Sequence, residues 1–111
     1  MRSGGSATSA VVERGAARLR LQGEFDLTVR ADLRCGLDAA IGTGAETLHI
    51  DTSGVSFMDS ACAWELRRAR SVLDATGRAV VMESPAPAVV LVFSALGWRD
   101  VLSAMALPTA C

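Results

Sequence analysis

Between Ile50 and Cys62 the chain changes character twice, and that limits the folds it can enter. Thr47 to Ile50 has the apolar, β-prone character of a short buried strand, and a short polar loop follows it. Asp59-Ser60 then opens a helix whose small and apolar residues Cys62, Leu66, Ala69 and Leu73 recur at intervals of four, three and four. A strand that hands over to an amphipathic helix is half of an α/β unit. The first backbone N–H groups of a helix have no intrahelical partner, so such a junction suits an oxygen-rich ligand or a phosphate group.

The flanking segments continue the alternation. Ala17 to Gln22 alternates apolar and polar residues with period two, as a half-buried strand does, and Val11-Val12-Glu13 is its hairpin partner across Arg14-Gly15. From Thr28 to Ile41, Leu33, Leu37, Ala40 and Ile41 make a helical stripe that Gly42 stops. The Cys62–Leu73 helix runs from about Ser60 to Ala75. Arg78 to Met82 is the next strand, and its continuous apolar run suits coverage on both faces. Ser84-Pro85 has the signature of a helix start, with serine as N-cap, and that helix ends near Leu96 at Gly97. Val101-Leu102 closes the pattern as a short strand or helix. Strands alternating with helices imply one α/β domain with a partly parallel sheet.

Composition removes several functions. With 111 residues, half of them apolar, and a net charge of −1, the chain has a core of its own and no basic field for nucleic acid. All of its basic residues are arginines. Met1 to Ala10 is small and polar, without the apolar core of a signal peptide, and reads as a tail. The longest apolar run, Ala86 to Leu96, is too short to span a bilayer. These features place the protein in the cytoplasm. Three cysteines without metal-ligand spacing, far in sequence from the single His49, point to neither a disulfide framework nor a zinc site.

Asp51, Asp59 and Ser60 form the one dense polar cluster beside a strand end. Two aspartates could hold magnesium or form an acid–base pair. Helix capping by Asp59 or Ser60 and loop N–H satisfaction by Asp51 explain them more simply. No residue has the spacing of a base–nucleophile dyad, and Gly42-Thr43-Gly44 lacks the lysine of a phosphate loop, so an enzyme is not expected and no cofactor is implied. Cys62, in the first helical turn, has a position where the dipole favours thiolate, which raises a redox role with Cys35 or Cys111 against simple core packing. Trp64, beside Arg67 and Arg68, has the composition of an interface hot spot. Ala88 to Phe93 is apolar on every helical face, so either the C-terminal tail or a second protein, a homodimer mate included, must cover it. Trp98 reads as an anchor for the end of that helix.

Several segments also resemble one known family. Gly23-Glu24-Phe25-Asp26 is similar to the Gly-Glu-Leu-Asp signature of the STAS domain family, and Asp51 to Ser60 to its Asp-Leu-Ser-x-Val-x-Phe-Ile-Asp-Ser core. Ser84-Pro85-Ala86 and Leu96 to Leu102 resemble its closing helix and turn. The matches fall in order from Val11 to Leu102. The resemblance implies a single STAS domain over residues 11–103, between tails 1–10 and 104–111, with a mixed, mostly parallel sheet and helices packed mainly on one face. It further implies a regulatory module of the anti-sigma factor antagonist type, which binds an anti-sigma factor of the serine kinase class and so frees a sigma factor. The expected contact residues are Asp26, Asp51, Ser53, Asp59, Ser60, Cys62, Trp64 and Arg67.

In that family, phosphate on a serine at the helix start abolishes binding, because it adds nearly two negative charges to the contact surface. Against the usual Asp-Ser-Ser-Gly-Leu, Asp59 and Ser60 are kept, while the acceptor is Ala61, the glycine Cys62 and the leucine Ala63. Alanine has no oxygen to phosphorylate. Three outcomes stay open: Ser60, expected to be held as an N-cap, takes the phosphate; the domain binds constitutively; or it resembles the small STAS subunit that binds the cytosolic ATPase of lipid-transporting ABC complexes.

Overall fold

The computed structural model describes residues 7–13 and 15–106. The period-two segment is a ten-residue strand, β2 (Ala16–Phe25), that buries Ala17, Leu19 and Leu21 and exposes Arg18, Arg20 and Gln22. Its hairpin partner β1 (Ala7–Glu13) pairs antiparallel with it over seven residues, so Ala7 to Ala10, read from sequence as tail, belong to the sheet. A 3₁₀ turn (Leu27–Val29) leads into α1 (Arg30–Gly42), whose Leu33, Leu37 and Ala40 face the core. Then come β3 (Thr47–Met58), α2 (Ser60–Asp74), β4 (Ala79–Glu83), α3 (Pro87–Ala95) and α4 (Arg99–Ala106).

The sheet order is β1-β2-β3-β4, with β2–β3 and β3–β4 parallel. The expected architecture is therefore the observed one: a single α/β domain with a mixed, mostly parallel sheet. The apolar face of the sheet and the inward faces of the helices close one core, from Leu19 and Ile50 to Phe93 and Met105. The α2 stripe of Cys62, Leu66, Ala69 and Leu73 is wholly inside it. Gly77, with φ +72°, ends α2, and Gly97, with φ +75°, turns the chain from α3 into Trp98. Trp98 packs edge-on against Phe93, ring centroids 5.8 Å apart, which is the anchoring role expected of it.

Four local expectations are corrected. The polar stretch after Ile50 is strand, because β3 continues to Met58 alongside β2 with two register shifts that absorb its extra residues. β4 is an edge strand whose burial alternates, so its apolar run is covered on one face only. Ser84 is not an N-cap: it sits at φ +46°, and α3 begins two residues after Pro85, with Ala86 as cap and Pro87 in the first turn. The Val101-Leu102 segment is helix, reaching Ala106, three residues past the expected boundary at residue 103.

Candidate partner-binding site

The ends of β2 and β3 lie side by side where α2 begins. The Asp59 N–H donates to the Phe25 carbonyl at 3.0 Å, and the Cys62 thiol donates to the Asp26 carbonyl at 3.4 Å. Asp59 is extended, and its Oδ1 accepts the Cys62 N–H at 2.9 Å, so Asp59 alone is the side-chain cap of α2. Of the two capping candidates it is therefore Asp59 that caps, while Ser60 is the first helical residue and is exposed, its hydroxyl not serving as the cap. Ala61 follows, half-buried. Asp59→Ala should cost about 1 kcal/mol of stability in urea unfolding, with Asp59→Asn near wild type. An alanine variant as stable as wild type would remove the capping role.

Asp26 caps the 3₁₀ turn. Its Oδ1 accepts from the Thr28 hydroxyl and from the Thr28 N–H at 3.0 Å, and these bonds hold its carboxyl below the ordinary value. Asp51 is similarly lowered by the Ser53 N–H at 2.9 Å and the Ser53 hydroxyl at 2.7 Å. Asp51 is not part of the helix-start cluster, however. It pairs laterally with Arg20, and β2 needs five more residues to reach Phe25 opposite Met58, a path of roughly 17 Å at the rise of a strand. Asp51 and Ser53 therefore lie away from Asp26, Asp59 and Ser60, and the cluster read from sequence is split in two.

The residues that sequence reasoning missed come from other elements. Glu65, four positions after Ala61 on α2, is completely buried. Its carboxylate accepts from Arg30 Nε at 3.0 Å and from Arg68 Nε at 2.9 Å, and Arg68 also reaches Asp38 on α1 at 2.6 Å. Burial alone would raise the Glu65 carboxyl, but the Arg68 and Arg30 bonds outweigh it and hold the group below its ordinary value. The network ties the start of α1 to α2 and fixes Arg30 at the rim of a hollow of about 380 Å³ lined by Arg30, Ser60, Ala61, Trp64, Leu96 and Trp98. Only a pairing of residues 35 apart places Arg30 there, and no local signal in the sequence gives it.

On the other side of the turn, Phe57, Met58 and Asp59 face Ala88, Leu91, Val92 and Ala95 of α3 across an apolar groove of about 370 Å³. The apolar helix divides its faces: Val89 and Phe93 enter the core, while Leu91 is 72% exposed. Phe57 and Trp64 are also exposed, so with Leu91 large apolar side chains flank the Asp59–Ala61 turn. The C-terminal segment expected as an alternative cover lies, beyond Ala106, outside the described residues, as does Cys111.

Cys62 is not a surface group. It is fully buried, and its thiol is pushed up to about 12, first by burial and then by Asp59. Desolvation thus beats the helix dipole, which removes the basis for a redox role and for direct partner contact. Cys35, on α1, is exposed. Peptide mapping after brief iodoacetamide treatment should find Cys35 alkylated and Cys62 untouched until the domain unfolds; rapid alkylation of Cys62 would contradict this placement.

Residues 9–105 match the family model described as "Mlab, STAS domain". The chain belongs to the STAS domain family. Among solved structures, its fold is similar to an anti-sigma factor antagonist from Mycobacterium paratuberculosis, with TM-score 0.74 and 23% identity over 90% of this chain and 85% of that one. It is similar also to the anti-sigma factor antagonist SpoIIAA in its unphosphorylated form, with TM-score 0.71 and 28% identity over 85% and 84% of the two chains. The phosphorylated Bacillus SpoIIAA gives TM-score 0.68 and 27% identity over 85% and 86%. None of the curated proteins matches the sequence. Among the described residues of this STAS domain, no helix is long and apolar enough to cross a membrane.

Proposed function

We propose that this STAS domain is a non-enzymatic, cytoplasmic binding module of the anti-sigma factor antagonist type, which takes up an anti-sigma factor of the serine kinase class and so frees a sigma factor. The observation that carries this is the turn at the start of α2. Asp59 does the capping, Ser60 is exposed and Ala61 half-buried, and exposed Phe57, Trp64 and Leu91 flank the turn. The 28% identity to SpoIIAA over most of both chains supports the class of partner. The contact set is Asp26, Asp59, Ser60, Trp64 and Arg67, with the apolar flank of α3 beside them. Ala61 takes the position of the acceptor serine, and the domain binds its partner without being released by phosphate there.

A second reading, a small STAS subunit bound to the cytosolic ATPase of a lipid-transporting ABC complex, is favoured by the description of the matching family model. Calorimetric titration of the purified domain against each anti-sigma serine kinase of the source genome, and against its ABC ATPases, separates the two. A complex with one kinase is expected. Binding to an ATPase, with no kinase bound, would overturn the first reading.

A further inference from the structure

The turn at Ser60–Ala61 divides two unlike flanks. Asp59 lines the apolar groove toward α3, and Asp26 lies at the end of β2. On the opposite flank, Trp64 stands 47% exposed between two hollows. One, of about 380 Å³, is rimmed by Arg30; the other, of about 280 Å³, is lined by Trp64, Arg67, Arg68 and Ser71. Among the described residues, no carboxylate lines either.

The charges around this stripe are unequal. Among the described residues, Arg30 and Arg68 pair with Glu65, Arg34 and Arg68 pair with Asp38, and Arg67 belongs to none of these ion pairs. Arg67 is exposed, and its guanidinium lies over the Trp98 ring, 4.8 Å from the centroid. Stacking on an aromatic face leaves the N–H edge of a guanidinium open to an acceptor in its plane. Arg30 gives Nε to Glu65 and keeps 39% of its side chain exposed. Two tryptophans and two open guanidinium edges make a surface that complements a segment carrying carboxylates and apolar side chains.

We infer that the Arg30–Trp64–Arg67 stripe is a docking track for an acidic peptide segment of the protein partner, separate from the Asp26–Asp59 flank. The inference extends the proposed binding function: the partner grips the domain on both sides of the turn, and on this side it supplies carboxylates. Nucleic acid, the other polyanion, lacks the apolar side chains that the Trp64 hollows accept.

The probe is a short peptide alternating glutamate with leucine, compared with its lysine–leucine counterpart and with single-stranded oligothymidylate. Nitrogen-edited NMR follows the indole N–H signals of the two tryptophans. The glutamate peptide should shift the Trp64 signal in a saturable, salt-sensitive way. Arg67→Glu, followed on Trp64, and Trp64→Ala, followed on Trp98 at the rim of the same hollow, should each weaken it about tenfold, with a dispersed Trp98 signal in each variant reporting that the fold is kept. Equal binding of the lysine peptide, tighter binding of oligothymidylate, or unchanged affinity of Arg67→Glu would each overturn the inference. The probe contains no anti-sigma factor, so a failed kinase titration leaves this result standing, and a failed peptide titration leaves kinase binding through the other flank standing.

Discussion

Replacing Glu65 with alanine is expected to lower the stability of the domain by about 2–3 kcal/mol in denaturant unfolding. Removing one partner of a fully buried ion pair costs about 3–5 kcal/mol, because the other charge is left without compensation. Here the carboxylate is wholly buried, but Arg30 is 39% and Arg68 16% exposed, so water screens the orphaned guanidiniums. That moves the cost below the buried-pair range. A loss under about 1 kcal/mol would mean that the network carries no more than a surface pair does. The same carboxylate gives a pH signature. Its folded value is depressed, so its contribution is fully present above the unfolded value near 4.5 and disappears as pH falls through the lower folded value. Wild-type stability should therefore fall below about pH 4.5, and Glu65→Gln should flatten that part of the profile. The variant also tests the site, because Arg30 is held at the rim of the Ala61 hollow through Glu65.

Local pattern carried most of this fold. The α2 stripe, the β2 alternation and the glycine that ends α3 were all legible, because each is decided by neighbours a few residues away. What failed was decided at long range. Asp51 to Met58 is interrupted by polar residues and contains Gly54, yet all of it is strand, since β2 offers a parallel partner whose end is fixed by the Asp59–Phe25 bond. That misreading made Asp51 a neighbour of Asp59. Ser60 is an equally good capping residue by type, and only the extended backbone at Asp59 decides between them. Glu65 reads as one more polar residue of an amphipathic helix; its burial follows from Arg30, which no period connects to it. The family motif marked the strand-to-helix junction in the chain, whereas which residues share that junction in space required the sheet.

Ala61→Ser is expected to convert a domain that cannot be phosphorylated at position 61 into one that can. Ala61 is half-buried at the rim of the hollow, on the second residue of α2, where an added hydroxyl needs no core space. Serine there costs at most about 0.5 kcal/mol in helix propensity. A serine kinase would pass the terminal phosphoryl group of ATP to the new oxygen, with ADP leaving and the hydroxyl proton lost to solvent. The product carries nearly two negative charges beside Asp59, on the face ringed by Phe57 and Trp64. Incubated with the anti-sigma kinase and labelled ATP, the native chain should remain unlabelled at position 61 and the variant should label there. Once labelled, the variant should bind the kinase at least about tenfold more weakly than before, through desolvation and repulsion at the contact. Label on Ser60 of the native chain would restore a phosphoswitch one residue early, at an exposed first-turn serine that does not cap the helix. Labelled variant with unchanged kinase affinity would remove the α2 start from the interface. Loss of binding confined to the labelled variant would leave Ala61 as the residue that makes the native domain a constitutive binder.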